Sequence, residues 1–330
     1  MVSQKLTLDL AAYYHKTNGV CGFSYTDKLL CIGSCFAQNM GELLVQHKFN
    51  ATVNPYGIVF NPLLLAQQLN AAIDNLPINA ADIIYTDGLY FSYQAHSSVY
   101  ATSKEALVEK LQTIQTNLLT QLQSAHYLVL TWGSAFYYTR ATDDVMVSNC
   151  HKQPQHLFTK QMCTAAQVEV VYQNLIAQLQ LVNPLLNILL TVSPVRYVRD
   201  GIIENNLSKA QLISATHGLV QAYENTFYFP SYELVIDDLR DYRYYTADGV
   251  HPSNEAINYV WQAFITTLLN KRELLLFENI QQILQAANHR ALHPESNSNS
   301  TFKSRYRKLC AQLMNQYPHI NLNTELSAFA

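Results

Sequence analysis

The sequence predicts an α/β fold of three layers, a central parallel sheet between helices. Short apolar runs of strand length end in small polar residues, and the stretches between them have helical composition and period. Strands that alternate with helices argue for a parallel sheet covered on both faces. In such sheets, ligands collect outside the carboxyl ends of the strands.

The first strand is read at Leu29-Leu30-Cys31-Ile32, closed by Gly33. After Gly33-Ser34-Cys35 the period changes, and Met40, Leu43, Leu44 and His47 fall at i, i+3, i+4 and i+7, one stripe of a helix. Further strands are expected at Tyr127–Trp132, ending in Gly133-Ser134, at Asn187–Val192, ending in Ser193-Pro194, and more briefly at Tyr232–Ile236. Helices fit Ala165–Leu181 and Ser208–Tyr223. The region around residues 50–103 is rich in Asn, Pro and Tyr and reads as an insertion, with a helical patch at Leu63–Ala72. Residues 1–270 are expected to form the main domain. Residues 271–330 are expected to form a helical extension: a helix at Glu273–Ala287, an exposed Ser/Asn linker at Pro294–Ser300, and a basic helix at Phe302–Tyr317, docked or mobile.

Composition narrows the function classes. The 330 residues are 49% hydrophobic and 14% charged, with a formal net charge of -3, so neither disorder nor a nucleic-acid or acidic-membrane partner is expected. No apolar run reaches the roughly 18 residues of a membrane span. The opening Met1-to-Val20 stretch lacks the apolar core of a signal peptide. Six scattered cysteines (Cys21, Cys31, Cys35, Cys150, Cys163, Cys310) do not form a small disulfide scaffold, and a cytoplasmic protein with reduced thiols is expected. No phosphate-binding glycine loop is present, and Cys150-His151 with His156 lacks zinc spacing, so neither cofactor nor metal is expected. The sequence leaves the oligomeric state open.

Two places carry residues suited to nucleophilic chemistry. Cys35 stands where the first helix opens, and a helix N-terminus favours the thiolate. The plainer reading is a small residue packed in the turn. Ser34 is the competing nucleophile or a helix cap. Asp248-Gly249-Val250-His251-Pro252-Ser253 puts a carboxylate and an imidazole three residues apart, before a helix with Ile257, Val260, Trp261 and Phe264 on its apolar face. The carboxylate can fix the tautomer of His251, which can then act as a base. Alternatively, the segment is only a cap with a solvated Asp. Arg196 and Arg199, after Val192, suit a substrate anion or a pairing with Asp200 and Glu204. His96-Ser97 reads as a polar pair in a loop, and Tyr242, Tyr244 and Tyr245 suit packing or stacking on sugars.

A Gly-x-nucleophile turn after the first strand, with Asp-x-x-His before a late helix, resembles the SGNH/GDSL hydrolase superfamily. Gly33-Ser34-Cys35-Phe36-Ala37 is similar, more specifically, to the name motif of the GSCFA domain family. Asn54-Pro55-Tyr56-Gly57, Asn149-Cys150-His151-Lys152, Ser193-Pro194-Val195-Arg196, Arg199-Asp200-Gly201, Phe229-Pro230-Ser231-Tyr232-Glu233 and Asp241-Tyr242-Arg243 resemble that family too, over roughly Leu29 to Phe264. The resemblance implies an enzyme acting on a small-molecule or carbohydrate acyl ester. It places Cys35 at the nucleophile position and Ser34 where the superfamily has Asp, and it matches Asp248 and His251 to the proton-transfer pair. It sets Gly57 in the oxyanion-binding position. The superfamily's third block, Gly-x-Asn-Asp, is here Gly133-Ser134-Ala135-Phe136, without the Asn that donates to the oxyanion, and Ser134, Asn54 and Asn149 are the candidate replacements.

Overall fold

A computed structural model describes residues 7–16 and 22–330, so Cys21 and half of the Met1-to-Val20 stretch lie outside the described residues. After a helix α1 (Leu10–Lys16), strand β1 (Lys28–Gly33) leads into α2 (Cys35–Gln46), and β2 (Asn50–Val53) leads to α3 (Pro62–Ile73). Strands β3 (Ile83–Thr86), β4 (Leu89–Ser92) and β5 (Tyr100–Ala101) form a small antiparallel sheet before α4 (Lys104–Ser124). Strand β6 (Tyr127–Trp132) is followed by a second small antiparallel sheet of β7 (Phe136–Arg140), β8 (Met146–Val147) and β9 (Phe158–Met162). Then come α5 (Ala165–Val182), β10 (Asn187–Val192), α6 (Ile202–Ala222), β11 (Thr226–Tyr228) and a short helix α7 (Ser231–Glu233). Four helices close the chain: α8 (Asn254–Leu268), α9 (Lys271–Ala287), α10 (Asn297–Gln316) and α11 (Asn323–Ala328).

The main sheet runs β11-β10-β6-β1-β2, with every neighbouring pair parallel. In order of appearance the strands therefore lie 2-1-3-4-5, a doubly wound sheet whose order reverses between β1 and β6. The period-two alternation of β1 assigns its side chains to two cores. Leu30 and Ile32 join the apolar side chains of α3, α4, α5 and α6. Leu29 and Cys31 join those of α2, α8 and α9 on the other face. Leu30 is fully buried, and each such leucine contributes about 1.5–3 kcal/mol to stability. The helices after residue 270 belong to that second core, because Cys310, Leu313, Ile320, Leu322 and Phe329 pack with Trp261 and Phe264.

Three expectations need correction. The fifth strand is Thr226–Tyr228, and Tyr232–Ile236 is helical, continuing α7 as a wider turn to Leu239. The buried residues Ser231, Leu234, Val235, Asp238 and Leu239 fall at i, i+3, i+4, i+7 and i+8, a helical period that the short apolar run conceals. The presumed insertion opens with β2, a short and partly exposed edge strand of the main sheet. The Ser/Asn run is not a linker throughout, since Ser296 caps α10 by accepting the amide of Asn299 at 3.2 Å. Among the described residues no helix is long and apolar enough to cross a membrane.

Candidate active site

Gly33 takes a φ of +148° where β1 meets β6. A Cβ there would stand 2.9 Å from both the carbonyl carbon and the nitrogen of Thr131, and closer still to its oxygen, so the strands close only around glycine. The amide of Gly33 donates to Oδ1 of Asn54 at 2.8 Å, and the next amide, of Ser34, donates to the Thr131 carbonyl at 3.1 Å. Asn54 is itself fixed, its Nδ2 donating to Gln38 of α2 at 2.9 Å. The chain is thus turned abruptly from sheet to helix at the reversal in strand order.

Ser34 holds the N-cap position, but its side chain makes no capping bond. Its Oγ is buried without a hydrogen-bond partner, which corrects the capping role expected of it. Cys35 is the first residue of α2 and keeps partial exposure. Burial raises its thiol pKa, while the amides of Phe36 and Cys35 and the charge of Lys209 act against that rise. The first intrahelical bond runs from Gln38 to Ser34, so the amides ahead of it have no acceptor within the helix.

The neighbouring strand end is bound down from two sides. The amides of Gly133 and Ser134 donate to the carbonyl of Phe60 at 2.7 and 3.2 Å. Asn61, fully buried, accepts from Leu63 as the cap of α3 and directs Nδ2 at the carbonyls of Ser134, Ala135 and Phe136 at 3.1–3.3 Å. From α6, Ser208 accepts the amide of Ala135 at 2.8 Å. Ser134 shares its hydroxyl with Ser208 and with the amide of Phe136. Lys209, 1% exposed, donates from Nζ to the carbonyls of Gly133 at 2.5 Å and Ser193 at 2.6 Å. Burial pushes its pKa down to about 7, opposed by Cys35. Sequence reading missed Lys209. Its signal was a lysine inside the stripe Asn205, Ser208, Lys209, Leu212, Ala215, Thr216 and Leu219, all of which are buried.

Asp248 and His251 meet in the loop before α8. His251 Nδ1 donates to Asp248 Oδ2 at 2.7 Å, which leaves Nε2 as the free ring nitrogen. Asp248 Oδ1 accepts from the Thr246 hydroxyl at 2.6 Å and from the amides of Val250 and His251 at 2.8 and 3.0 Å. The Thr246 hydroxyl first, and then the His251 ring and these amides, hold the carboxyl well below the usual carboxylate range. Both side chains are about half exposed. The loop is tied to the sheet edge by the amide of Arg196, which donates to Val250 at 3.1 Å. The Arg196 guanidinium lies over the ring of Tyr245 at 4.6 Å. Ser253 caps α8, which packs against α2, and both helices start at the carboxyl edge of the sheet. No hydrogen bond among the described residues joins His251 to Cys35 or Ser34.

The other candidates divide between this edge and its surroundings. Asn54 braces the turn at Gly33, and Ser134 sits just past the end of β6. Gly57 lies in a tight turn with a φ of +75°, and its amide already donates to the Asn54 carbonyl at 2.7 Å. That bond occupies the donor that the oxyanion role requires. Asn149 lines a cavity of about 430 Å³ with Phe60, Phe136, Tyr197 and Arg199. Its Oδ1 accepts the amide of His151. His96 stands beside Gly57 and bonds Ser98. Asp200 pairs with Lys160, not with an arginine. Among the described residues no three His, Cys, Asp or Glu side chains gather as a metal site.

The GSCFA family matches residues 28–264, and the GSCFA domain protein, C-terminal domain, matches residues 280–330. A comparison with curated proteins gives no match. The first match takes in Cys35, Lys209, Asp248 and His251, and it covers well over half of the sequence. The chain belongs to the GSCFA family.

Proposed function

We propose that this protein is an SGNH-like hydrolase or acyl-transfer enzyme that acts on an acyl ester, a carbohydrate ester included, with Cys35 as the nucleophile. The observation that carries the reading is the place of Cys35, a partly exposed thiol on the first amides of α2 at the reversal of strand order. Asp248 and His251 form the proton-transfer couple, the carboxylate holding the ring so that Nε2 faces outward as a base or acid. The sulfur attacks the acyl carbon, and the carbonyl oxygen gathers negative charge. First-turn amides of α2 and the positive end of its dipole stabilise that charge. Gly57 serves only if its turn bond to Asn54 opens.

Ser34 is the weaker nucleophile, because its hydroxyl is buried while the Cys35 thiol keeps partial exposure. A second reading, a non-catalytic carbohydrate- or acyl-group-binding protein, draws on the cavity lined by Phe60, Phe136 and Tyr197, whose rings suit stacking on a sugar. Turnover of short-chain nitrophenyl esters and acyl thioesters by wild type, Cys35→Ser, Cys35→Ala and Ser34→Ala separates these readings. Loss in Cys35→Ala with retention in Ser34→Ala supports the first. The opposite pattern swaps the nucleophile. No turnover in wild type favours binding alone.

A further inference from the structure

The segments Asn149-Cys150-His151-Lys152 and Arg199-Asp200-Gly201 have no part in the acyl chemistry, yet both reach one cavity. Its volume of about 430 Å³ is that of a small-molecule site. Phe60, Phe136 and Tyr197 form an aromatic wall, the Tyr197 centroid lying 6.3 Å from that of Phe60 and 6.1 Å from that of Phe136. Lys152 and Arg199 line the same cavity, and no aspartate or glutamate does. Among the described residues neither cation makes an ion pair. The carboxylates near Arg199 in sequence are directed elsewhere. Asp200 pairs with Lys160, whose ammonium covers one side of Phe136 and Tyr197 at 4.3 and 4.8 Å and fixes both rings. Glu204 turns back to Gly201, its Oε2 standing 2.7 Å from the position of a Cβ there. A chain of net charge -3 thus keeps two unbalanced cations beside aromatic rings.

The backbone holds Lys152 there against its own preference. His151 and Lys152 have φ of +47° and +58°, and the Gln153 amide donates to the Cys150 carbonyl at 2.9 Å, a tight turn that normally takes glycine or asparagine. Both ends of the cavity lead to the candidate machinery. A Cβ on Gly133 would stand 2.7 Å from the Cβ of Phe60 and 3.2 Å from that of Ser34, so Phe60 flanks the turn that presents Cys35. Tyr197 follows Arg196, whose amide bonds Val250 in the loop of Asp248 and His251.

We propose that this cavity selects the alcohol part of the acyl ester, a sugar ring that carries an anionic group, with Arg199 and Lys152 as the residues that determine specificity. The word alcohol rests on the acyl-ester reading, whereas recognition of an acidic sugar rests on the cavity itself. The sugar packs its C–H face on the cavity side of Phe60, Phe136 and Tyr197. Its anion meets the Arg199 guanidinium and the Lys152 ammonium, and a carboxylate or a phosphate ester satisfies both. Asn149 spends Oδ1 on the amide of His151 and keeps Nδ2 to donate to a ring oxygen. A neutral sugar would leave both cations without a counter-charge, which is the source of the discrimination.

The test is binding, without turnover. Glucuronate, phosphorylated glucose, glucose and acetate are titrated into wild type, Arg199→Met and Lys152→Met and followed by saturation-transfer NMR. Thermal melts establish that each protein is folded. Glucuronate or phosphorylated glucose should bind wild type at least about ten-fold more tightly than glucose or acetate, and the tighter of the two identifies the anion. Arg199→Met should lose most of that preference, and Lys152→Met part of it. Cys150 reports the place of binding, because it lines the cavity and is partly exposed. The preferred ligand should slow its alkylation by iodoacetamide, read from the mass of the Cys150 peptide. Glucose binding as tightly as its acidic forms overturns the proposal, and so does acetate binding as tightly as the acidic sugars. An undiminished preference in Arg199→Met, unaltered alkylation of Cys150, or no binding of any of the four compounds overturns it too. Selective binding in a protein whose Cys35 never takes an acyl group leaves the subsite standing and removes only the acyl-ester reading. Acylation of Cys35 without selective binding does the reverse.

Discussion

Replacing Gly33 with alanine should loosen the sheet at the point where Cys35 is presented. The new methyl group would press on the Thr131 backbone, 2.9 Å from its carbonyl carbon and nitrogen. Relieving that contact displaces one strand against the other, which costs about 1–3 kcal/mol as overpacking. The positive φ adds about 1–2 kcal/mol for a residue with a Cβ. Losing the bond from the Ser34 amide to Thr131 adds about 1 kcal/mol. The smaller chain entropy of alanine in the unfolded state returns about 0.5–1 kcal/mol. The net loss is about 2–5 kcal/mol, a large share of the roughly 5–15 kcal/mol typical of a folded domain. Gly88→Ala is the internal control, because Gly88 has a φ of +79° and nothing within 4 Å of its Cβ position. It should lose about 1 kcal/mol, from backbone strain alone. Urea denaturation of the three proteins gives the comparison. A Gly33→Ala variant within about 1 kcal/mol of wild type would refute the close approach of β1 and β6 that positions Cys35.

Other perturbations test the surrounding parts. Asn61→Ala removes the cap of α3 and leaves the carbonyls of the β6 loop short of a donor, so about 2–4 kcal/mol should be lost in denaturant melts. A cost below about 0.5 kcal/mol would mean that the loop is held otherwise. Asp248→Asn places an N–H donor opposite His251 Nδ1 and favours the wrong tautomer. Turnover should fall by about 10²–10⁴, and unchanged turnover removes Asp248 from the mechanism. Because the Asp248 pKa is lowered on folding, its contribution to stability is present above the unfolded value of about 3.9 and is lost only as pH falls through the lower folded value. The stability difference between wild type and Asp248→Asn should therefore shrink as pH falls below about 4. A difference unchanged between about pH 4 and about pH 2.5 would contradict the lowered carboxyl.

Much of the fold was legible because three of its strands are apolar along most of their length and end abruptly. Tyr127–Trp132 and Asn187–Val192 were delimited to the residue, and both lie parallel with β1, as the alternation of elements required. Strand β2 was hidden because an edge strand is wetted along much of its length, so Asn50–Val53 carries little apolar signal. Strand β11 was hidden because the apolar run that follows it drew the assignment away, although that run has a helical spacing. At the site, the Asp-x-x-His spacing gave a pair that is local in the chain, and its geometry followed directly. Lys209 comes from α6, 174 positions from Cys35 in sequence. Only the packing of α6 onto the ends of β6 and β10 brings Lys209 to this edge of the sheet. Ser34 was misread for a related reason, since its capping role depends on a side-chain rotation that composition does not determine.

The central claim is that Cys35 forms a bond to an acyl group. Wild type and Cys35→Ala are mixed with short-chain nitrophenyl esters and acyl thioesters and quenched in acid at early times. The intact protein and its peptides are then weighed. The account predicts the mass of one acyl group on the peptide carrying Cys35 in wild type, absent from Cys35→Ala and removed by hydroxylamine. An acyl group found on Ser34, or none in wild type while the ester is consumed, would contradict it.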